Sequence, residues 1–197
     1  WGVYEPSIRE WTEKAAKTSL VKRLWGKDAS LWTQDISQHK DIKERLGWLT
    51  VATAMREHVS GLKSFAEEIK KEGFEKIVLL GMGGSSLAPE VFQSVFGNAA
   101  GYPSLLVSDS TDPGRIADIE GQLDLSKTLF VVSSKSGGTI ELTSLFQYFF
   151  DKLEKLEKEK AGSHFVAITD PGTALVENGK KHGFRKIFLA PPDVGGR

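Results

Sequence analysis

Two glycine- and serine-rich segments carry the residues best suited to chemistry. The first is Gly81-Met82-Gly83-Gly84-Ser85-Ser86, and the second is Ser133-Ser134-Lys135-Ser136-Gly137-Gly138-Thr139. Glycines let the backbone approach a ligand closely, and serine and threonine hydroxyls form hydrogen bonds with phosphate and sugar oxygens. A helical pattern follows each segment, and a helix N-terminus presents free N–H groups and the positive end of its dipole. Together these features predict an anion-binding site.

The elements that must position these segments follow a βαβαβαβαβ pattern. Five short apolar runs are typical of strands covered on both faces of a parallel sheet. These runs are KIVLLG, SLLVSD, TLFVVSS, HFVAITD and KIFLA. The helical patterns between them lie at about 85–96, 112–122, 139–159 and 173–182. Right-handed crossovers then predict an α/β fold, a doubly wound five-stranded parallel sheet. We take the flavodoxin-like order 2-1-3-4-5 because it is the common one for this pattern. In that order the strand order reverses between strands 1 and 3, the point at which open α/β sheets bind ligands and at which both segments begin.

The first 75 residues have helical periodicity. Apolar residues recur at helical intervals from Ile42 to Lys71, with Gly47 and Gly61 as candidate break positions. We expect four tryptophans to pack within this region, namely Trp11, Trp25, Trp32 and Trp48. The predicted domains are therefore an N-terminal helical extension at 1–75 and a ligand-binding α/β domain at 76–197.

The composition argues against several classes of protein. Lys+Arg and Asp+Glu both number 26, so the chain lacks the basic excess that supports binding to nucleic acid or to an anionic membrane. It has no cysteine, which excludes disulfide frameworks and thiolate metal sites. The four histidines are dispersed without the spacing of metal ligands, so no metal is predicted. Because no apolar run is long enough for a membrane span, we expect a cytoplasmic protein.

Two nucleotide-binding motifs match these segments in part. A dinucleotide-binding G-x-G-x-x-G fingerprint requires glycine where Ser86 stands, and the candidate ribose acid, Asp109, lies further away than the usual spacing of about 20 residues. A P-loop requires Gly-Lys-Ser/Thr, which closes neither segment. Nucleotide binding therefore stays open as an alternative, ranked below the binding of a sugar phosphate.

The two segments together resemble the sugar isomerase (SIS) fold and, within it, the phosphoglucose isomerase family. LLGMGGSSLAPEVF is similar to the family's first glycine-serine loop, SKSGGT to its phosphate loop, and VGGR at 194–197 to its next active-site signature. The three motifs occur in order, and the resemblance spans about residues 40–197. The stretch from RLGWLTVATAM to SSLAPE looks most like the bacterial branch in which the isomerase is fused behind a transaldolase.

The resemblance implies a reversible aldose–ketose conversion between glucose 6-phosphate and fructose 6-phosphate. This step of glycolysis and gluconeogenesis passes through a cis-enediol and uses neither a metal nor an organic cofactor. The residues that the family's motifs place against the sugar phosphate are Gly84, Ser85, Ser134, Lys135, Ser136, Gly137, Gly138 and Thr139. Arg197 would stabilise the negative charge that develops on the enediolate.

The resemblance also limits what this chain is expected to do. The family's glutamate base, ring-opening histidine and late lysine match no residue here and are expected in a second SIS domain beyond residue 197. The chain would then be the N-terminal phosphate-binding half of an isomerase, inactive alone and homodimeric in its full-length form. Many stand-alone isomerases carry bulkier residues at Ser136-Gly137-Gly138. Since other SIS domains share the S-x-S-G-x-T form, a non-catalytic sugar-phosphate-sensing module is the alternative.

Overall fold

Five short apolar strands form a parallel sheet in the computed structural model, which describes residues 1–195. The strands are β1 (Lys76–Gly81), β2 (Ser104–Ser108), β3 (Thr128–Ser133), β4 (Phe165–Thr169) and β5 (Lys186–Leu189). Their spatial order is β2-β1-β3-β4-β5, and each neighbouring pair is parallel. The predicted doubly wound α/β fold with the order 2-1-3-4-5 is confirmed.

Nine α-helices accompany the sheet in the described part of the chain. They are α1 (Glu5–Lys17), α2 (Leu20–Trp25), α3 (His39–Lys43), α4 (Trp48–Ala54), α5 (Val59–Lys71), α6 (Gly84–Phe96), α7 (Pro113–Glu120), α8 (Ile140–Glu157) and α9 (Ala174–Lys181). Short 3-10 turns lie at Gly2–Tyr4, Ala29–Leu31, Ile36–Gln38, Met55–His58, Leu125–Lys127 and Lys158–His164. Gly47 precedes α4, as predicted for a break, whereas the break predicted at Gly61 is wrong because α5 continues through it. None of these helices is both long and apolar enough to cross a membrane.

The two faces of the sheet carry the two halves of its core. On one face α8 buries six apolar side chains at helical spacing against the strands. These are Leu142, Leu145, Phe146, Phe149, Phe150 and Leu153. Phe130 of β3 lies at the centre of this half, with its ring centroid 4.7 Å from that of Phe149 and 5.2 Å from that of Phe165. On the other face Ile69 of α5 packs against Leu129 and Val166. α8 thus holds the end of β3, where the second glycine-rich segment begins.

The described residues divide into two compact units. Arg56–Pro191 contains the sheet and both glycine-rich segments, while Trp1–Met55 and Pro192–Gly195 form the other unit. The sheet unit begins before the boundary predicted at residue 75, because α5 packs on the sheet.

The unit of Trp1–Met55 and Pro192–Gly195 buries few apolar side chains. Only Ala29 and Leu46 are buried among its described apolar residues. The expectation that four tryptophans pack within the extension is wrong, because each of them is more than half exposed. Helices of five to thirteen residues offer too little facing surface to cover an indole.

Within this unit, Asp193 forms hydrogen bonds with two residues of the stretch Trp1–Met55. Its carbonyl oxygen accepts the amide N–H of Gly47 at 2.8 Å. Its carboxylate accepts a hydrogen bond from the ammonium of Lys27, also at 2.8 Å. The first unit is therefore assembled from two stretches that are far apart in the sequence.

Candidate anion-binding site

Both glycine-rich segments lie at the carboxyl edge of the sheet, on neighbouring strands. Gly81 at the end of β1 is the pairing partner of Ser133 at the end of β3. The segments therefore leave the sheet side by side, since neighbouring strands lie about 5 Å apart. β2 pairs with the other side of β1. The predicted placement at the reversal of strand order is confirmed, and open α/β sheets bind ligands at such points.

The first segment turns sharply from β1 into α6. Gly83 has a φ of +55°, a conformation that favours glycine. Its carbonyl oxygen accepts the N–H and the hydroxyl of Ser86, each at 3.0 Å, which buries Ser86 inside the turn. A Cβ added at Gly84 would meet no atom within 4 Å among the described residues. The turn therefore leaves Gly84 exposed and Ser85 half-buried at the surface of the site.

Ser134 organises the second segment from within. It is 5% exposed, and its amide donates to the carbonyl oxygen of Ile168 at 3.0 Å. Its hydroxyl accepts the N–H of Gly137 at 3.1 Å and lies 3.2 Å from the Oγ1 of Thr139. These contacts fold the segment into a closed loop at the end of β3.

Gly137 is the position in this loop where a side chain cannot be accommodated. Its φ is +68°, and an added Cβ would lie 2.6 Å from the Cβ of Thr173 and 3.1 Å from the amide nitrogen of Leu175. Carbon atoms normally stay about 3.5–4.0 Å apart. The next residue differs, because a Cβ at Gly138 would find open space among the described atoms. The loop therefore packs tightly on the start of α9 at one glycine and is open at the other.

The amino terminus of α8 presents free amides at this loop. Thr139 is the N-cap, yet its hydroxyl lies against Ser134 and does not cap the helix. Within residues 1–195, the amides of Ile140, Glu141 and Leu142 donate to no protein acceptor. Such N–H groups, together with the helix dipole, favour a bound anion.

In two other helices that begin at this edge, an amide of the first turn already has a protein acceptor. The amide of Arg115 in α7 donates to the carboxylate of Asp112 at 2.9 Å. In α6 the amide of Ser85 donates to the carbonyl oxygen of Met82 at 3.1 Å. The amino terminus of α8 is therefore better suited to an exogenous anion than those of α6 and α7.

Lys135 and Ser136 lie at the tip of the loop. Ser136 is exposed, and its hydroxyl accepts a long hydrogen bond, at 3.5 Å, from the amide of Gly138. The ammonium of Lys135 lies 2.5 Å from Oδ2 of Asp170. Asp170 was not among the residues predicted for the site. The signal that would have found it is its position directly after β4, at the same edge of the sheet.

The chemistry of this arrangement suits an oxyanion. The loop carries hydroxyls, free backbone amides and an ammonium, and charge-assisted hydrogen bonds to phosphate are among the stronger ones in proteins. Within residues 1–195, no group of three or more histidine, aspartate or glutamate side chains is arranged to hold a metal ion. The predicted catalytic residue Arg197 lies outside the described residues.

The chain is similar to known proteins over most of its length. The family model described as phosphoglucose isomerase matches residues 47–197. The glucose-6-phosphate isomerase of Carboxydothermus hydrogenoformans is 30% identical over 169 residues, which cover 81% of this chain and 36% of that protein. That of Campylobacter jejuni is 34% identical over 128 residues, which cover 64% and 31%. The chain thus spans about a third of the length of these curated relatives.

Two solved structures are also similar to this chain. A glucose-6-phosphate isomerase from Chlamydia trachomatis superposes with a TM-score of 0.60 and 26% identity, covering 73% of this chain and 28% of that one. A hypothetical protein from Thermus thermophilus superposes with a TM-score of 0.70 and 26% identity, covering 96% and 42%. Because the family model matches well over half of its residues, the chain belongs to the phosphoglucose isomerase family.

Proposed function

We propose that this chain is the phosphate-binding part of a glucose-6-phosphate isomerase. The full-length protein would interconvert glucose 6-phosphate and fructose 6-phosphate through a cis-enediol. The observation that supports this most directly is the set of free amides at the start of α8, which follows a loop that also carries the hydroxyl of Thr139 and the ammonium of Lys135. A phosphate at this position would accept charge-assisted hydrogen bonds. Membership of the family supports the hexose as the rest of the ligand.

The residues of the second segment would contribute to phosphate binding in different ways. Lys135 would supply charge, and the exposed hydroxyl of Ser136 would donate to a phosphate oxygen. Gly138 would let the backbone approach the ligand, since the space around its Cα is open among the described atoms. Ser134 and Gly137 would act mainly through the shape of the loop, because their polar groups already bond to each other.

The first segment would contact the sugar from the neighbouring strand. Gly84 and Ser85 are the residues of this turn that stay at the surface. Arg197 would stabilise the enediolate in the full-length protein. None of the site residues described here matches the family's base, so we propose that the 197-residue chain binds hexose 6-phosphates without isomerising them.

We further propose that the full-length protein is a cytoplasmic homodimer, with a transaldolase preceding the isomerase. The sequence resemblance supports the transaldolase fusion. The exposed face of α6 supports association, because contiguous apolar patches on a protein surface usually mark an interface. The apolar residues of this face are Leu87, Val91, Phe92, Val95 and Phe96, each more than half exposed. Sedimentation of the full-length protein tests the dimer, and a monomer at micromolar concentration would contradict it.

The experiment that tests ligand binding is a titration followed by amide chemical shifts. The 197-residue chain is titrated separately with fructose 6-phosphate, 6-phosphogluconate, inorganic phosphate and NAD. We expect the sugar phosphates to shift the amides of residues 81–86 and 133–139, with NAD shifting neither. Shifts caused by NAD alone would contradict the proposal and favour the nucleotide alternative.

Activity separates the isomerase from the sensing module. Conversion of fructose 6-phosphate by the full-length protein, measured by coupling to the oxidation of glucose 6-phosphate, would support the isomerase. Binding without turnover by the full-length protein would instead support a non-catalytic sugar-phosphate-sensing module. Turnover by the 197-residue chain alone, at a rate near that of the full-length protein, would refute the proposal that this chain only binds.

A further inference from the structure

The phosphate loop packs against a backing segment, residues 168–173, which runs from the end of β4 to the start of α9. The amide of Ser134 donates to the carbonyl oxygen of Ile168 at 3.0 Å, and the amide of Asp170 donates to that of Lys135 at 3.3 Å. In the sheet, β4 and β1 lie on opposite sides of β3. The backing segment therefore contacts the loop from the side opposite to the turn that follows β1.

Two threonines of the backing segment form a chain of hydroxyls that ends on the loop. Thr169 is 1% exposed, and its hydroxyl donates a long hydrogen bond, at 3.5 Å, to the carbonyl oxygen of Lys135. The hydroxyls of Thr169 and Thr173 lie 2.8 Å apart. Because a hydroxyl has a single proton, Thr173 is the donor in this pair when Thr169 donates to Lys135.

The side chain of Thr173 serves the loop instead of its own helix. Thr173 is the N-cap of α9, a position where a threonine hydroxyl usually accepts an amide of the first turn. It makes no such hydrogen bond here. Its Cβ and Oγ1 also occupy the space that a side chain at Gly137 would need. Thr173 therefore contacts the loop at Gly137 directly and at the carbonyl of Lys135 through Thr169.

These contacts fix the orientation of the peptide between Lys135 and Ser136. A trans peptide is planar, so its carbonyl and its N–H point in opposite directions. With the carbonyl of Lys135 directed at the backing segment, the N–H of Ser136 points to the other side of the loop. That N–H donates to no acceptor among the residues up to Gly195. The reversed peptide would present a carbonyl oxygen there, and its partial negative charge would repel a phosphate.

We propose that Thr169 and Thr173 are positioning residues of the phosphate site. Their hydroxyls hold the carbonyl of Lys135 away from the ligand and thereby keep the N–H of Ser136 directed toward it. Neither threonine would touch the phosphate, since each acts through the loop. The ligand group that depends on them is the phosphate, so a hexose phosphate and inorganic phosphate depend on them equally. This inference rests on the proposed function.

The test removes each hydroxyl and keeps a branched side chain in its place. Thr169→Val and Thr173→Val do this, and valine at position 173 removes no helix cap, because the threonine there makes none. Thr169→Ser keeps the hydroxyl and loses the methyl group. Thr128→Val is the matched control, because Thr128 is fully buried and its hydroxyl donates to the backbone carbonyl of Asp124, at 2.6 Å, at the other end of β3. Amide spectra and thermal unfolding of each variant establish that it is folded.

Dissociation constants for two probes, fructose 6-phosphate and inorganic phosphate, come from amide shifts of the 197-residue chain and its variants. We expect Thr169→Val and Thr173→Val each to weaken the binding of both probes by roughly fivefold, the factor that corresponds to one lost hydrogen bond. The double valine variant should lose no more than either single variant, because the two hydroxyls act as one chain. Thr169→Ser and Thr128→Val should keep the original affinities.

The amide proton of Ser136 provides a readout that a loss of stability alone would not change. An amide proton donated to a phosphate shifts downfield, so saturation of the unaltered chain with inorganic phosphate should shift the amide protons of Ser136 and of Glu141, at the start of α8. In the saturated valine variants Ser136 should lose much of this shift, and Glu141 should keep it. Equal losses at the two amides would overturn the inference, because they would mean that the whole site had changed.

Several other outcomes would also overturn the inference. Original affinities in Thr169→Val would do so, and an equal loss in Thr128→Val would assign the effect to general destabilisation. A Thr169→Ser variant as weak as Thr169→Val would assign the effect to the methyl group. If Thr169→Val does not fold, Thr173→Val decides the question, because Thr173 is only half-buried. If the unaltered chain binds neither probe, the proposed function fails and the inference falls with it, whereas unchanged affinities in the valine variants of a chain that binds both probes overturn the inference alone.

Discussion

A substitution of Gly137 by alanine should destabilise the sheet unit by about 2–3 kcal/mol. An L-residue at positive φ costs roughly 1–2 kcal/mol, and the φ here is +68°. The new Cβ would also lie 2.6 Å from that of Thr173, and overpacking of this kind costs about 1–3 kcal/mol. Reduced freedom of the unfolded chain offsets about 0.4–1 kcal/mol of this sum.

The assay for Gly137→Ala is equilibrium unfolding in urea, followed by amide signals of β1 and β3. Tryptophan fluorescence is unsuitable, because all five tryptophans lie at or before Trp48 and outside the sheet unit. With an m-value of about 2–3 kcal/mol per molar urea, the midpoint should fall by about 1 M. The loop should also lose affinity for hexose phosphate, since its amides no longer keep their spacing.

The control for this prediction is the neighbouring substitution Gly138→Ala. Gly138 does not have a positive φ, and its Cβ would meet no described atom within 4 Å. We expect its free energy of unfolding to change by less than about 0.5 kcal/mol. Equal midpoints for Gly137→Ala and Gly138→Ala would refute the argument that Thr173 and the positive φ make glycine necessary at position 137.

Three further predictions concern other parts of the structure. Gly162→Ala should lower the free energy of unfolding in urea by more than about 3 kcal/mol, because its Cβ would lie 1.9 Å from the carbonyl oxygen of His182, which follows α9. Hydrogen bonds from Arg185 lower the pKa of Glu72, so this pair should stabilise the fold above the usual glutamate pKa and lose that effect as the pH falls through the lowered pKa. Glu72→Gln should therefore reduce the change in melting temperature between about pH 7 and pH 3. Hydrogen bonds from Ser30 chiefly lower the pKa of Asp28 to about 2, which a carboxyl NMR titration would detect.

Specific outcomes would contradict these predictions. A Gly162→Ala variant with the original urea midpoint would mean that the backbone of the turn before β4 shifts at little cost to accommodate the added Cβ. An unchanged pH dependence in Glu72→Gln would mean that the ion pair contributes nothing, as many exposed pairs do. A carboxyl of Asp28 that titrates near its ordinary pKa of about 4 would mean that the hydrogen bond from Ser30, at 2.6 Å, does not persist in solution.

The parallel sheet was predictable from the sequence, because strands buried on both faces have a strong signature. Its order is the common one for this pattern of elements and was not contained in the residues themselves. The helix predicted at 139–159 is Ile140–Glu157 in the structure, since its buried apolar residues repeat at helical spacing. The neighbouring positions of the two glycine-rich segments, at one edge of the sheet, followed from that order of strands. These features depend on patterns within one stretch of chain and on general rules of topology.

Other features could not be predicted because they depend on contacts between distant residues. Asp170 reaches Lys135 from the next strand, and Thr173 decides that position 137 must be glycine. Neither relation has a local pattern. The exposure of the tryptophans was missed because an apolar residue type predicts burial only where a facing surface exists. Gly61 was misjudged as a break because a glycine within a helix lowers helical propensity without ending the helix.

The return of Asp193 to the first unit has a consequence for how the protein folds during synthesis. The stretch Trp1–Met55 leaves the ribosome before the sheet does, yet the carbonyl and carboxylate that bond to Gly47 and Lys27 arrive after the whole sheet has been translated. We therefore expect the sheet unit to fold before the N-terminal unit, although the N-terminal unit is synthesised earlier. In a released chain that ends before residue 192, proteolysis should cut the first unit and spare the sheet. Equal resistance of both would contradict this order.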